Sequence, residues 1–177
     1  KTTKEIIKKK FGLNDKKKTI LWAMSEYDEN GVSLIPENKN NSHFEFKDVV
    51  NLLSSFALSN NYEFILRTSP KSAYKIENKV FENGIICPKN FSVKDAFDIS
   101  DIVLVECSTV GLEAFIYGLP VIQLGYYKAA PYGELKIANQ VFDLKGLGAI
   151  LSNINDINYP KEYSYPRENS AKKISDL

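Results

Sequence analysis

Short, continuously apolar runs alternate with segments of helical periodicity along most of this sequence, from Ile20 to Asp143. A strand whose side chains are apolar toward both faces is typical of a parallel sheet that helices cover on both sides. Parallel strands joined through helices take right-handed crossovers. The alternation therefore predicts an α/β fold, a doubly wound, Rossmann-like parallel sheet of about six strands with helices on both faces.

The expected elements follow one another without an internal repeat or a convincing second domain boundary. The polar segment 25–42 predicts a long loop that is mobile without a partner. Residues 1–177 are expected to form one domain, with residues 153–177 as a peripheral helical tail. Expected helices cover 2–11, 44–59, 72–81, 93–99 and 110–117, and expected strands cover 19–24, 62–66, 85–86, 102–105, 121–124 and 140–143.

Charge and composition argue against several classes of function. The 177 residues carry 23 Lys and Arg against 22 Asp and Glu, so no broad positive field is available to hold a nucleic acid. The lysine clusters 8–10 and 16–18 lack interleaved aromatic residues, and we expect them at solvated helix ends. The first cluster leaves open a peripheral contact with an anionic lipid surface.

Metal binding and membrane insertion are likewise not expected. His43 and the two cysteines, Cys87 and Cys107, are not spaced as ligands of one metal ion. The sequence shows no leader-like segment, and no apolar run approaches the roughly 20 residues that cross a bilayer. We therefore expect a cytoplasmic protein, with association at the inner face of the membrane as the alternative.

The turns after the predicted strands are where an open parallel sheet binds its ligands. The strongest candidate follows the strand 102–105, where Ser108 or Thr109 can cap a helix whose free amides point at an anion. Gly111, in the first turn of that helix, would let a phosphate approach the backbone closely. Ser25 follows the first strand and is a further candidate phosphate ligand. The alternative is an ordinary capped helix.

Glu113 lies within the same predicted helix, whose other residues are nearly all apolar. It falls too late after Ser108 or Thr109 to complete a capping box. A carboxylate among apolar residues is costly unless hydrogen-bond donors meet it, and ribose hydroxyls are such donors. Glu113 is thus a candidate ribose ligand, with a structural ion pair as the alternative.

The segment 108–122 reads Ser-Thr-Val-Gly-Leu-Glu-Ala-Phe-Ile-Tyr-Gly-Leu-Pro-Val-Ile. It resembles the donor-site signature of GT-B glycosyltransferases of the capsule-polysaccharide type, including Kdo transferases and the related CDP-glycerol transferases. The UDP-GlcNAc 2-epimerases share that fold and a related turn. The resemblance implies that Ser108 and Thr109 hold the donor phosphate, that Glu113 orients the ribose, and that Gly118 and Pro120 shape the turn into the next strand.

A second segment, 65–71, is similar to the Arg-x-His-Pro segment that follows the second strand of such donor domains. Here it reads Ile-Leu-Arg-Thr-Ser-Pro-Lys, so Ser69 stands where the family has a histidine. Any role of that histidine in proton transfer or phosphate binding does not carry over. Arg67 and Lys71 remain candidates for charge-assisted hydrogen bonds to phosphate, together with Ser69. A Ser-Pro turn that starts a helix is the alternative.

In the same family the segment after the third strand lies against the nucleotide base. The corresponding residues here are Cys87, Pro88 and Phe91. Phe91 has the alternative role of a core residue, and Cys87 shows no charged neighbour in the sequence that would activate its thiol.

The segment 125–133 follows the predicted fifth strand and combines glycines at both ends with three tyrosines and a lysine. This composition suits a loop that contacts a sugar, and the glycines suggest hinges for closure over it. The candidate sugar contacts are Gly125, Tyr126, Tyr127 and Lys128. Tyrosines in such a loop also serve simply as packing groups.

The resemblance implies the donor-binding half of a cytoplasmic enzyme that transfers a sugar from a CMP-, CDP- or UDP-linked donor to a growing surface or capsular polysaccharide. It also implies an amino-terminal acceptor domain that is missing here and that commonly supplies the catalytic base, so no catalytic residue is assigned. No cofactor or metal is expected. The alternatives are half of a nucleotide-sugar 2-epimerase and a non-catalytic nucleotide-binding domain.

Overall fold

A computed structural model describes residues 3–34, 44–76, 84–87, 91–154 and 157 of the chain. These residues form an alternating series of helices and parallel strands. The helices are α1 (Thr3–Lys10), α2 (Phe46–Asn60), α3 (Val93–Ile99), α4 (Val110–Ile116) and α5 (Leu144–Ser152). The strands are β1 (Lys18–Ala23), β2 (Tyr62–Arg67), β3 (Gly84–Ile86), β4 (Ile102–Val105), β5 (Val121–Leu124) and β6 (Asn139–Val141).

The six strands form one sheet in the order β3-β2-β1-β4-β5-β6, and each neighbouring pair is parallel. This confirms the doubly wound, Rossmann-like fold. The chain moves outward in one direction from β1 to β3 and in the other from β4 to β6, so strand order reverses between β1 and β4. At such a reversal the loops that leave the two strands diverge and open a crevice at the carboxyl end of the sheet.

Two apolar cores lie on opposite faces of the sheet. Because successive side chains of a strand point to opposite faces, Ile20 and Trp22 pack with α2 and α5, whereas Leu21 and Ala23 pack with α3 and α4. Burial of each large apolar side chain contributes about 1.5–3 kcal/mol, which explains why both faces of β1 read as apolar in the sequence. The helices therefore cover both faces, as expected.

The sequence analysis placed most elements to within a few residues, and α3, β4 and β5 coincide with the predicted ranges. The helix expected over 72–81 is wrong in its described part, since residues 72–76 are not helical. Their backbone is held instead by the loop after β1: the Ala73 amide donates to the Tyr27 carbonyl at 2.9 Å. The Tyr74 ring also packs on Phe46, with ring centroids 4.8 Å apart. Residues 77–83 lie outside the described residues.

The last strand ends earlier than expected because Asp143 belongs to the following helix. Its side chain caps α5 by accepting a hydrogen bond from the Gly146 amide at 2.6 Å. β6 therefore stops at Val141. Of the expected helical tail 153–177, only residues 153, 154 and 157 are among those described, so the tail stays a prediction.

The loop after β1 is held by local contacts over its described part, 25–34, and its mobility without a partner stays a prediction. Tyr27 is fully buried and forms an antiparallel bridge with Ser33. The Asp28 carboxylate accepts hydrogen bonds from the amides of Asn30 and Val32, both at 2.9 Å. Local carboxylate bonds of this kind close a tight turn without a ligand. Residues 35–43 lie outside the described part of the chain.

The lysine cluster 8–10 is not wholly a solvated helix end, because Lys8 is 0% exposed. Its ammonium nitrogen lies 3.1 Å from Glu63 Oε1 and also donates to the carbonyls of Asn14 and Lys17. Burial lowers the pKa of Lys8, and the hydrogen bond and charge of Glu63 oppose that shift. α1 is thereby attached to β2 at the amino end of the sheet, opposite the crevice.

Candidate functional site

A cleft of about 620 Å³ lies at the carboxyl end of the sheet, where strand order reverses. Its walls come from the turns after β1, β2 and β4, from the first turn of α4 and from the loop after β5. The structure thus brings together residues that are far apart in the sequence. The predicted site residues on its walls are Ser25, Arg67, Ser69, Lys71, Ser108, Thr109, Glu113 and Tyr127.

One wall carries the cationic residues. Arg67 is the last residue of β2 and is half-buried, and its Nη1 donates to the Phe91 carbonyl at 2.9 Å. Lys71 is exposed, and its backbone amide donates to Ser69 Oγ at 3.3 Å. The anchored guanidinium and the exposed ammonium give this wall two positive charges that an anionic ligand can approach.

A second part of the cleft lining joins the turns after β1 and β4. Ser25 Oγ accepts a hydrogen bond from the Cys107 amide at 3.2 Å and lies 3.4 Å from Cys107 Sγ. Burial raises the pKa of the Cys107 thiol, and its hydrogen bond with Ser25 opposes that rise. A neutral thiol and a serine hydroxyl thus meet in this part of the lining.

The start of α4 differs in detail from the expected cap. Thr109 stands at the N-cap position but has helical backbone angles and makes no side-chain capping bond. Ser108 provides the local contacts instead: its Oγ accepts from the Val110 amide at 3.3 Å and its carbonyl accepts from the Gly111 amide at 3.0 Å. Both residues line the cleft, and their phosphate binding stays a prediction.

Gly111 is buried beneath the wall rather than exposed in the cleft. A Cβ at this position would meet the Tyr132 ring at 2.8 Å and Val105 Cγ2 at 2.9 Å. The Tyr132 hydroxyl donates to the Ser108 carbonyl at 3.1 Å, which fixes the ring there. Packing between α4, β4 and the loop after β5 therefore gives a sufficient reason for the glycine, and its approach to a phosphate stays a prediction.

Glu113 lines the cleft, but its side chain is exposed. The expected burial among apolar residues is wrong, because α4 turns Leu112 and Ile116 outward as well, at 40% and 44% exposure. An exposed carboxylate carries little desolvation cost, so the argument from burial no longer supports a ligand role. The support comes from the position of Glu113 on the cleft wall. Ribose binding by Glu113 stays a prediction.

Of the residues predicted to contact a base, the two that the structure describes, Cys87 and Phe91, are not on the cleft walls. Phe91 is 2% exposed and packs edge-on against Phe11, with ring centroids 4.3 Å apart. Burial raises the pKa of the Cys87 thiol to about 12, although the charge of Arg67 acts in the opposite direction. Arg67 is therefore the charged neighbour that the sequence did not reveal. Pro88 lies outside the described residues, and base binding by this segment stays a prediction.

The loop after β5 sends one predicted sugar contact, Tyr127, to the cleft wall, whereas Gly125, Tyr126 and Lys128 do not line it. The loop is held beneath by Gln123, which is 0% exposed. Gln123 Nε2 donates to the carbonyls of Glu106 and Ala130 at 2.9 and 2.7 Å, and Gln123 Oε1 accepts from the Gly133 amide at 3.3 Å. Sugar contact and closure of this loop stay predictions.

Glu106 is the residue of this region that the sequence analysis did not single out. It follows β4 directly and is 1% exposed, and its carboxylate accepts three hydrogen bonds. Oε1 accepts from Trp22 Nε1 at 3.2 Å and from the Tyr27 hydroxyl at 2.7 Å, and Oε2 accepts from the Ser25 amide at 2.9 Å. Burial raises the pKa of Glu106, and these donors oppose the rise. An acid immediately after an apolar strand was the available signal.

Within the described ranges, no group of three or more His, Cys, Asp or Glu residues is arranged to hold a metal ion. Over those same ranges, no helix has both the length and the apolar character needed to cross a membrane.

Comparison with known proteins gives matches in structure but not in sequence, since no family model and no curated protein matches the chain. The wall teichoic acid polymerase TagF has a TM-score of 0.71 and 21% identity, over 99% of this chain and 46% of the polymerase chain. The ADP-heptose lps heptosyltransferase II of E. coli has a TM-score of 0.57 and 11% identity, over 87% of this chain and 50% of its own.

A third match is the UDP-GlcNAc 2-epimerase from Neisseria meningitidis, bound to UDP-GlcNAc, with a TM-score of 0.54 and 16% identity over 98% of this chain and 47% of that one. The chain thus spans about half the length of these solved structures. At these identities the likeness establishes the fold alone. The chain shares the Rossmann-like fold of about half of each of these structures, two of which are a glycosyltransferase and a polymerase by name.

Proposed function

We propose that this chain is the nucleotide-sugar donor-binding half of a GT-B glycosyltransferase that builds a bacterial-type surface or capsular polysaccharide. The donor is a CMP-, CDP- or UDP-linked sugar, and it is a substrate, so no resident cofactor is needed. The acceptor is a growing glycan presented by a second domain. The enzyme works in the cytoplasm or at the inner face of the membrane.

The observation that carries this proposal is the pairing of charges and hydroxyls in the cleft. Arg67 and Lys71 offer two cations from the turn after β2, while Ser25, Ser108 and Thr109 offer hydroxyls from the turns after β1 and β4. Phosphate oxygens are recognised by such charge-assisted and neutral hydrogen bonds together. A volume of about 620 Å³ is within the range of pockets that hold ligands of nucleotide size.

The chemistry assigned to this half is stabilisation of the departing nucleotide. Negative charge grows on the leaving phosphate as the glycosidic bond to the donor breaks, and a positive group placed beforehand lowers the energy of that transition state. Arg67 is suited to this because its bond to the Phe91 carbonyl fixes its position before a ligand arrives. No catalytic base is assigned to this chain, and the proposal places it in the acceptor domain.

Two solved structures of similar fold support the choice of ligand. The matching epimerase structure is bound to UDP-GlcNAc. A TagF H444N structure of TM-score 0.72 and 21% identity was soaked with CDPG. The proposed ribose ligand Glu113 lies on the cleft wall beside the proposed phosphate ligands, as a nucleotide bound along that wall would require.

Calorimetric titration with CMP, CDP, UMP and UDP tests this function. We expect one base to bind preferentially and Glu113→Ala to weaken that binding about tenfold, which corresponds to roughly 1.4 kcal/mol. Leu112→Ala is the matched control, because Leu112 is exposed on the same helix but does not line the cleft. Equal affinity of both variants would remove Glu113 from the site, and no binding of any nucleotide to the two-domain enzyme would refute the donor site.

The likeness to an epimerase favours a second candidate, half of a nucleotide-sugar 2-epimerase. The two enzymes differ in the fate of the sugar. A transferase releases free nucleotide and extends an acceptor, whereas an epimerase returns the sugar still joined to its nucleotide. Product analysis on the two-domain protein, with labelled donor and acceptor present, separates these outcomes.

A further inference from the structure

Glu106 stands at the point where three parts of the cleft meet. Its side chain contacts the turn after β1 through Ser25, its backbone carbonyl accepts from Gln123 of β5, and the next residue, Cys107, lines the cleft. Glu106 itself does not line the cleft and is 1% exposed. A group so placed cannot touch a ligand directly, yet it determines where the ligand-facing residues lie.

The two carboxylate oxygens of Glu106 face different neighbours. Oε1 meets the core side of the loop, accepting from Trp22 Nε1 and the Tyr27 hydroxyl. Oε2 meets the cleft side, accepting from the Ser25 amide at 2.9 Å. The hydroxyl of that same serine holds the Cys107 amide at 3.2 Å and lies 3.4 Å from its Sγ. Glu106 and Cys107 are thus joined a second time, through Ser25.

This closed set of contacts fixes the distance between the turns after β1 and β4. β1 and β4 are paired only up to Ala23 and Val105, so the ladder does not hold Ser25 against Cys107. A buried backbone amide left without an acceptor is costly, and only an acceptor at the position of Glu106 Oε2 meets the Ser25 amide among the described contacts. The acceptor therefore selects the conformation of the turn.

We propose that Glu106 is a positioning residue of the cleft, which places Ser25 against Cys107 and so sets the wall that faces the ligand. This inference deepens the proposed function, and the expected effect of Glu106 on nucleotide affinity rests on that function. The expected effect of Glu106 on the turn after β1 is independent of the proposed function. The thiol of Cys107 provides a direct readout of the turn, because the Ser25 hydroxyl lies against it.

The experiment measures the rate at which iodoacetamide modifies Cys107 in a Cys87→Ala background, together with nucleotide affinity by calorimetry. Glu106→Leu removes both acceptors and is expected to raise the modification rate and weaken nucleotide binding, each about tenfold. Glu106→Gln retains one oxygen that can accept from Ser25, and it should restore both values to within about threefold of the parent. Modification of Glu106→Leu at the parental rate would overturn the proposal.

Tyr27→Phe is the control for stability, because it removes a donor to Oε1 and leaves the Ser25 contact at Oε2. It should lower the melting temperature while changing the modification rate less than about twofold. If Tyr27→Phe and Glu106→Leu speed modification equally, Glu106 acts only through fold stability and the positioning role is refuted. Faster modification of Glu106→Leu alone, with no nucleotide bound by the two-domain enzyme that carries the parental Glu106, would sustain the positioning role and reject the donor site.

Hydrogen exchange on the unmodified protein covers the case in which Glu106→Leu does not fold. The Ser25 amide donates to a buried carboxylate, whereas the Asn30 amide donates to Asp28 Oδ1 at an exposed turn. We expect Ser25 to exchange at least about tenfold more slowly than Asn30, after correction for intrinsic rates. Equal exchange at the two amides would show that Glu106 does not hold the turn.

Discussion

Two buried glutamates at opposite ends of the sheet are satisfied in different ways. Glu63, on β2 near the amino end, is paired with the ammonium of Lys8 and also accepts from the Asn14 amide at 3.0 Å. Among the described contacts, the carboxyl group of Glu106, beyond the carboxyl end of β4, accepts from neutral groups only, the indole of Trp22, the Tyr27 hydroxyl and the Ser25 amide. The carboxylate of Glu63 therefore has an opposite charge beside it, whereas the carboxyl group of Glu106 has only neutral donors among its described contacts.

This difference in partners separates the role of Glu63, which is to stabilise the fold, from the role of Glu106, which is to shape the cleft. The pair of Lys8 and Glu63 attaches α1 to the sheet far from the cleft, so its loss concerns folding alone. The bonds of Glu106 lie directly beneath the cleft and include one of its lining residues, Ser25. Active sites commonly retain groups that cost stability, because the geometry they impose is what function requires.

Loss of the Lys8 ammonium, at the amino end of the sheet, is expected to have the largest effect on stability. Lys8→Met leaves the buried Glu63 without its ion-pair partner, and breaking a buried pair from one side costs about 3–5 kcal/mol. The free energy of unfolding, from urea titration, should fall by about that amount. Nucleotide affinity of the folded fraction should not change, because neither residue lines the cleft.

Lys4→Ala is the matched control for Lys8→Met. Lys4 lies on the same helix and pairs with Asp101 at 2.9 Å, but its side chain is 36% exposed. An exposed pair contributes less than about 1 kcal/mol. Similar losses from the two variants would mean that burial does not distinguish the two ends of the sheet.

Removal of one donor at the carboxyl end is expected to have the next largest effect. Tyr27→Phe deletes the hydroxyl that donates to Glu106 Oε1 at 2.7 Å and should cost about 1.5–3 kcal/mol if that carboxyl group is charged. Thermal and urea unfolding measure the loss. Tyr62→Phe is a suitable comparison, since the described contacts of this buried tyrosine are with the Phe56 ring and Lys18. A loss below that of Tyr62→Phe would contradict the hydrogen-bond argument.

The sheet could be predicted from the sequence because burial on both faces leaves a local signature. β4 and β5 are uninterrupted apolar runs apart from Gln123, and their ranges were predicted to the residue. The helix predicted over residues 72–76 was wrong because their conformation depends on contacts with Tyr27 and Phe46, which no local pattern encodes. The prediction that Lys8 is solvated was wrong for the same reason, since its partner Glu63 is 55 residues away.

The turns that form the cleft were predictable from the sequence, but the contacts that support them were not. The turns after β1, β2 and β4 were correctly expected to meet, because parallel strands bring their carboxyl ends to one edge. The exposure of Glu113 was mispredicted because the sequence does not reveal which face of α4 meets the sheet. Glu106 was overlooked because its partners Trp22, Ser25 and Tyr27 precede it by 84, 81 and 79 residues.

The pH dependence of stability sharpens the comparison of the two glutamates. Burial raises the pKa of Glu106 above 4.5, its ordinary value, so the folded state holds this proton more tightly than the unfolded state. Between the two pKa values more protons are bound to the folded chain, and the free energy of unfolding falls as pH rises. The stabilising contribution is complete below about pH 4.5 and is lost as pH rises through the folded pKa.

Glu106→Gln isolates this contribution because an amide does not titrate. The difference in unfolding free energy, parent minus variant, should be greatest below pH 4.5 and decrease as pH rises. Urea unfolding over a series of pH values measures it. A difference that grows with pH would mean that the donors from Trp22, Ser25 and Tyr27 outweigh burial, and that the pKa of Glu106 is lowered in the folded protein.

The smallest expected effect concerns an exposed cation on the cleft wall. Lys71→Ala should weaken binding of a nucleoside diphosphate about threefold to fivefold, since an exposed charge pair contributes about 1 kcal/mol or less. The loss should shrink as salt is added, because screening shortens the reach of exposed charges to about 8 Å at physiological ionic strength. Calorimetric titration at two salt concentrations measures both effects.

Lys75→Ala is the control for Lys71→Ala, because Lys75 is also exposed and lies four residues further along the chain, off the cleft wall. Both variants change the net charge equally, so a general electrostatic attraction would weaken binding to the same extent in each. A loss confined to Lys71→Ala would place the phosphate beside the wall that Arg67 and Lys71 share. Equal losses would mean that Lys71 attracts the nucleotide only through the net charge, so that the direct phosphate contacts would have to come from other lining residues, such as Ser25 in the turn that Glu106 fixes against Cys107.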